Sequence, residues 1–292
     1  MTAGAFVRQQ SRFRGRPEGG PERHHLYVAL ACPWSQRAAI VRAVLGLEDA
    51  LSISYADPYR DELGWAFTGG RFTDELNGFE LLREAYEATA PGYDAHVSVP
   101  VLWDKEEGLI VSNESADIVR ILDEWAGGDL FPPEKRAEIE ELNGWIYREF
   151  QNGVYRAGFS RSQEAYEAAF RGVFAALDRL ETILQDRRYL TGETITEADW
   201  RVLPTLLRFD AVYHTHFRCN GRRLIEYPNV LRYTTDLFNQ PHVAETFALD
   251  EIKRHYYTTH DELNPKRIIP SGPLDLGFAQ GGCRPPEPPL SA

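Results

Sequence analysis

An apolar run at residues 26–31, "LYVALA", leads into a cysteine and then into "QRAAIVRAVLGL", whose apolar positions recur three and four apart. The first segment reads as a buried strand and the second as a helix. A further strand-like run, "LSISYAD", covers residues 51–57. Strand, helix, strand in that order predicts two parallel strands joined by a crossover helix. Residues 58–95 are rich in turns and aromatics and hold no sustained period. Beyond them, "HVSVPVLWD" (96–104) and "GLIVSNES" (108–115) read as an antiparallel hairpin turning at 105–108. A helix is predicted from Ser115 to about Trp125, stopped by Gly127 and Gly128.

At residue 132 the pattern changes. Up to about residue 240 the periodicity is helical, with long segments predicted at 134–153, 162–185 and 196–214. "TGETITEADW" contains a capping box, with Thr196 at the helix start and Asp199 bonding back to the cap residue's N–H. Ile195 and Trp200 flank it at staple positions. The predicted fold is α/β plus all-α. A thioredoxin-like domain spans 26–126 and an all-helical domain spans 130–262. An irregular arm (1–25) precedes them, and a Pro/Gly-rich extended tail (263–292) follows.

Charge and composition narrow the function. A net charge of -12 argues against general nucleic-acid binding. No apolar run approaches the roughly 20 residues that span a bilayer, and residues 1–20 lack a signal-peptide pattern. A cytoplasmic protein without membrane contact is expected. The three cysteines, Cys32, Cys219 and Cys283, include no CxxC pair and suggest no disulfide framework.

Cys32 stands where strand gives way to helix, in "CPWS". A sulfur there faces the free N–H groups and positive end of the helix, a seat that favours a negative sulfur. Arg37 is a candidate to add to it. Pro33 suits the first helical position because no N–H partner is needed. Ser35 occupies the place of a second cysteine. Cys32 therefore has no neighbour with which to close an internal disulfide. It can attack a sulfur and hold the product as a mixed disulfide, which an external thiol must resolve. Such monothiol chemistry implies a small thiol such as glutathione. Cys219 and Cys283 lack a helix-start context and read as non-catalytic.

The same domain suggests a pocket for that thiol. Pro100 follows Val99 inside a strand-like run, where a cis bond is the usual resolution. The backbone of Val99 is then exposed to pair with a peptide-like ligand. Glu114 and Ser115 open a helix whose free N–H groups and hydroxyl suit a carboxylate, while Glu114 suits an ammonium. Together they fit the γ-glutamyl end of glutathione, though the pair also reads as a plain helix cap. His214 and His216 lie two apart, on different helix faces, so no metal is expected.

These features resemble the glutathione transferase superfamily, including the "ITEAD" motif of its helical half. More closely, the chain resembles the glutathionyl-hydroquinone reductases, the Xi class. The carrying segments are "FVRQQSRFRG", "HLYVALACPWSQR", "SNESADIVR", "QNGVYRAGFS" and "IKRHYYTTHDELNPKRIIPSGP". The resemblance implies reduction of aromatic S-glutathionyl-hydroquinones, with glutathione as thiol substrate, in a homodimer. It implies Cys32 as nucleophile and Trp65 as a glutathione contact through its indole N–H. Tyr155 and one of Tyr256 and Tyr257 would act on the ring oxygens; the same tyrosines, and Trp65, also read as ordinary core aromatics. Gln36 departs from the His expected there in many members.

Three other readings compete. A general thioltransferase or dehydroascorbate-reductase-like enzyme would share Cys32 and its pocket. The same chemistry could use another thiol; only four of the 32 basic residues are Lys, a bias compatible with a lineage poor in glutathione. A non-catalytic binding protein on this fold is the third, although such proteins often lose the nucleophile.

Overall fold

The computed structural model describes residue 4 and residues 6–279. Its first half is a four-stranded mixed sheet with helices against it. β1 (His24–Val28), α1 (Pro33–Val44) and β2 (Ser52–Tyr55) form the expected crossover unit, with β1 and β2 parallel. β3 (Val101–Asp104) and β4 (Leu109–Ser112) form the antiparallel hairpin, and α3 (Ser115–Ala126) follows. The sheet order is β2-β1-β3-β4. α3 ends where Gly127 takes the left-handed conformation, at φ 113°, and its N–H bonds back to Asp123 and Glu124.

The strand predicted at 26–31 ends three residues early, at Val28, and begins two residues early, at His24. The reason for the early end lies in the partners of its carbonyls. Leu30 and Ala31 accept bonds from the buried Arg208 side chain instead of from a strand, at 2.6 and 3.3 Å. A short helix, α2 (Arg83–Thr89), lies within the turn-rich stretch. Seven residues are too few for helical periodicity to emerge from such a background.

The second half is helical: α4 (Arg136–Trp145), α5 (Gly153–Gly158), α6 (Gln163–Ile183), α7 (Glu197–Arg208), α8 (Pro228–Phe238) and α9 (Leu249–Thr259). Two of the predicted long helices do not stay α. α4 passes into a wide π segment at Ile146–Gln151, and α7 into another at Phe209–Tyr213. The first contributes Tyr147 to the cleft described below, and the second carries Tyr213 to the Tyr256 hydroxyl behind it, in keeping with the tendency of such turns to sit near functional sites. The capping box is present at α7. The buried Asp199 carboxylate accepts the Thr196 N–H at 2.8 Å and the Tyr233 hydroxyl at 2.8 Å.

The arm is fastened to the sheet. Gly15 N–H donates to the Val111 carbonyl at 2.9 Å, and Asn113 N–H donates to that of Phe13 at 3.0 Å. Residues 13–15 thus pair along the outer edge of β4, which otherwise would present free backbone groups. The described part of the tail has neither helix nor strand, and its Phe278 packs on Phe238 and Phe247.

Polar bonds cross the seam between the halves. Arg37 of α1 donates to the Arg201 carbonyl of α7 at 2.9 Å. Arg208, fully buried, donates to the carbonyls of Leu30, Ala31 and Pro204 and to the Gln36 side chain. Arg208→Met leaves those acceptors buried and unsatisfied. It is expected to destabilise the fold by about 2–4 kcal/mol, read from urea unfolding. An unchanged midpoint would show that the seam does not depend on it.

Candidate active site

The loop that Arg208 grips delivers Cys32 to the start of α1. Cys32 is the N-cap, with extended backbone at φ -86° and ψ 125°, and Pro33 is the first helical residue. Its carbonyl accepts the first helical bond from Gln36 N–H at 2.9 Å. Its sulfur is half-buried and lies 3.9 Å from the Val99 carbonyl oxygen. The Val99–Pro100 bond is cis, as the proline in that run suggested. Across the same cleft, Glu114 caps α3 by accepting from Ala116 N–H at 3.1 Å. Its other oxygen accepts the Ser11 hydroxyl of the arm at 3.0 Å. The Ser115 hydroxyl accepts from Arg37 at 3.2 Å. The cap reading of Glu114 and its place in the cleft therefore hold together.

These residues line one open cleft of about 1150 Å³, and Trp65 and Tyr155 line it too. Trp65 is buried and stacks on the His255 ring at 5.0 Å. His255 binds the Pro58 carbonyl through Nδ1 at 2.8 Å. Burial lowers its pKa to about 3, so its ring is neutral at physiological pH. Tyr155 comes from α5. Its hydroxyl lies 2.5 Å from that of Tyr256 on α9, which is 3.1 Å from that of Tyr213. Burial raises the pKa of all three phenols, so they are held protonated. A chain of phenols ending at the cleft can donate hydrogen bonds or a proton to an oxygen bound there.

Adjacent Tyr256 and Tyr257 part company. Neither lines the cleft itself, but the Tyr256 hydroxyl meets that of the cleft residue Tyr155, whereas the Tyr257 hydroxyl donates to the Ala211 carbonyl at 3.1 Å and its ring meets His216. Of the two neighbours, Tyr256 is the one whose hydroxyl joins Tyr155.

Two glutathione S-transferase families match the chain: the N-terminal domain over residues 31–125 and the C-terminal domain over residues 163–236. Glutathionyl-hydroquinone reductase PcpF of Sphingobium chlorophenolicum is 45% identical, covering 93% of this chain and 91% of the relative. Glutathionyl-hydroquinone reductase YqjG of Escherichia coli K12 is 44% identical, covering 93% and 90%. The crystal structure of the glutathione transferase Xi from Phanerochaete chrysosporium superposes with a TM-score of 0.88 at 41% identity, over 93% of this chain and 98% of that one. The chain belongs to the Xi class of glutathione transferases. The glutathione-bound structure of YqjG superposes with a TM-score of 0.87, over 92% of this chain and 95% of that one.

Within this Xi-class chain, Gln36 does not face the thiol. Its amide donates to the Thr246 carbonyl at 3.0 Å, and its oxygen accepts from Arg208. The substitution therefore bears on the seam between domains. His216 meets His260 at 3.1 Å. Among the described residues no group of three His, Cys, Asp or Glu side chains is placed to hold a metal. Cys219 is buried, and that burial pushes its thiol up to about 12. Cys283 lies outside the described residues.

Several residues in or behind the cleft of this Xi-class chain were not foreseen by name. Tyr213, fully buried behind the cleft wall on Tyr256, is carried by the wide turn after α7, which shifts side chains off the helical period. Arg8 reaches the cleft from the arm, and Arg60 from the loop after β2. Arg60 bonds His96 at 3.0 Å and sits over the Trp65 ring at 5.8 Å. An irregular arm offers no period from which such contacts can be read.

Proposed function

We propose that this chain reduces S-glutathionyl-hydroquinones to hydroquinones at the expense of glutathione. One observation carries the reading: Cys32 and a protonated phenol, Tyr155 backed by Tyr256, face the same cleft. The Cys32 thiolate attacks the glutathionyl sulfur, a sulfur–sulfur bond forms, and the ring carbon–sulfur bond breaks. An aryl carbanion is too poor a leaving group for this step. In the keto tautomer the sulfur sits on a tetrahedral carbon, and the bonding pair leaves as an enolate that becomes the hydroquinone. Tyr155 donates to the ring oxygen on which that charge collects. A second glutathione thiolate then attacks the glutathionyl sulfur of this mixed disulfide, its sulfur–sulfur bond breaks, and Cys32 leaves as the restored thiolate while glutathione disulfide is released.

Val99 supplies a backbone partner for the bound peptide, beside cis Pro100. Glu114 and Ser115 take its γ-glutamyl end, and Trp65 walls the site. The named activity of the relatives and the glutathione-bound relative support this reading. A homodimer in the cytoplasm belongs to the same proposal, and an elution mass twice that of the chain would accord with the dimer.

The test is a turnover assay pairing several glutathionyl-hydroquinones with glutathione and with other small thiols. Mass spectrometry after exposure to glutathione disulfide should show an adduct of about 305 Da, one glutathionyl group formed by exchange. Rapid ring release with glutathione is expected. Disulfide reduction without ring release would make the protein a general thioltransferase. Turnover restricted to another thiol would reassign the donor.

A further inference from the structure

Arg8 is a cation without a counter-ion, placed against the tyrosine that faces the cleft. Its guanidinium lies 4.5 Å from the centre of the Tyr155 ring and 4.9 Å from that of Trp34. Its Nε donates to the Asn152 side chain at 2.9 Å, three residues before Tyr155. Among the described residues no carboxylate pairs with it, and its Nη2 is buried without a hydrogen-bond partner. The other arginines of this stretch are neutralised: Arg12 by Asp94 at 3.1 Å and Arg14 by Asp117 at 2.7 Å. Arg8 is partly buried at the cleft wall, and a cation with no anion beside it there is placed to stabilise negative charge that arrives next to it.

The reaction proposed above moves one negative charge. It begins on the Cys32 sulfur. When the ring carbon–sulfur bond breaks, it arrives on the ring oxygen and, after proton transfer, on the Tyr155 oxygen. In disulfide exchange the charge passes from sulfur to sulfur and never visits Tyr155. We propose that Arg8 is a positioning residue for ring release: it fixes Tyr155 through the face of its ring and stabilises the charge that Tyr155 takes up. The proposal rests on the reductase reading.

The other groups around Tyr155 do not duplicate this role. Cys32 from the start of α1 is the source of the charge. Tyr256 from α9 and Tyr213 from the wide turn are neutral donors. Arg60, from the loop after β2, likewise has no carboxylate partner among the described residues and adds to the positive field at Tyr155 and Cys32, but its guanidinium is held on His96 and over the Trp65 ring, whereas that of Arg8 lies on the Tyr155 ring. Burial strengthens the hold of Tyr155 on its proton, and Arg8 is the largest opposing influence.

The test compares wild type, Arg8→Gln and Arg8→Lys on four substrates. Three are glutathionyl-hydroquinones with methyl, unsubstituted and chlorinated rings; the fourth is a glutathione mixed disulfide of an aliphatic thiol. In Arg8→Gln, kcat for the unsubstituted ring is expected to fall about tenfold, the scale of one partly buried cation–π contact. The loss should grow for the methyl ring, whose oxygen bears charge poorly, and shrink for the chlorinated ring. Disulfide reduction should change little, and Arg8→Lys should recover part of the loss because the charge remains. Equal losses on all four substrates would mean that Arg8 merely fastens the arm, and would overturn the proposal. So would a glutamine variant indistinguishable from wild type. Wild-type protein that reduces the disulfide but releases no ring would overturn the reductase reading, and this proposal with it.

Discussion

Cys32→Ser is expected to abolish both ring release and disulfide reduction while the protein stays folded. A serine hydroxyl does not form a useful anion at neutral pH, and among the described residues the other thiol, Cys219, is buried away from the cleft. The fold should survive because the backbone holds this position. Cys32 N–H donates to the Ala29 carbonyl at 2.9 Å, and its carbonyl accepts from Gln36 at 2.9 Å. The only bond lost is a weak sulfur contact at 3.9 Å, so the stability change should stay within about 0.5 kcal/mol. Steady-state rates and a urea midpoint on one preparation suffice. Retention of more than a few percent of the activity would remove Cys32 as nucleophile. Cys219→Ala and Cys283→Ala serve as controls and should turn over as wild type; the protonated, buried Cys219 thiol has no access to substrate.

The second large effect separates the two chemistries. Tyr155→Phe and Tyr256→Phe should each lower glutathionyl-hydroquinone turnover about 10- to 1000-fold, the range for losing a general acid or oxyanion donor. Disulfide reduction has a thiolate leaving group and should fall much less. Tyr257→Phe should spare both rates, costing only about 1 kcal/mol of stability for its bond to Ala211. Equal loss of ring release and disulfide reduction in the Tyr155 and Tyr256 variants would mean that these tyrosines only shape the thiol site. A larger loss in Tyr257→Phe than in Tyr256→Phe would reverse the assignment between neighbours.

That assignment marks where pattern alone stopped. The crossover unit and the hairpin were legible because their apolar runs are bounded by turn residues, and Cys32 because a strand-to-helix junction is a local feature. The cis bond before Pro100 was legible for the same reason. Tyr256 and Tyr257 are one residue apart on α9, where successive side chains point about 100° apart. No local feature says which of them faces Tyr155; the packing of α9 on the wide turn decides it. The wide turns themselves were invisible, because an extra residue in a helical turn leaves no composition mark. Arg8 depends on a contact between positions 144 apart, closed by the arm's pairing along β4.

Ser35 has a consequence for how such a chain can change over evolution. Its hydroxyl, fully buried, accepts the Ala29 N–H at 2.9 Å. A substitution to cysteine would restore a two-thiol motif on paper. It would also replace a good acceptor with a poor one and weaken the side-chain support of a buried amide at the mouth of the thiol loop. A change to internal disulfide closure therefore starts with a less stable loop, before any redox advantage is felt. In the proposed reaction, dependence on an external thiol thus goes together with the way this turn is held, and a two-thiol variant would have to find another support for the Ala29 amide.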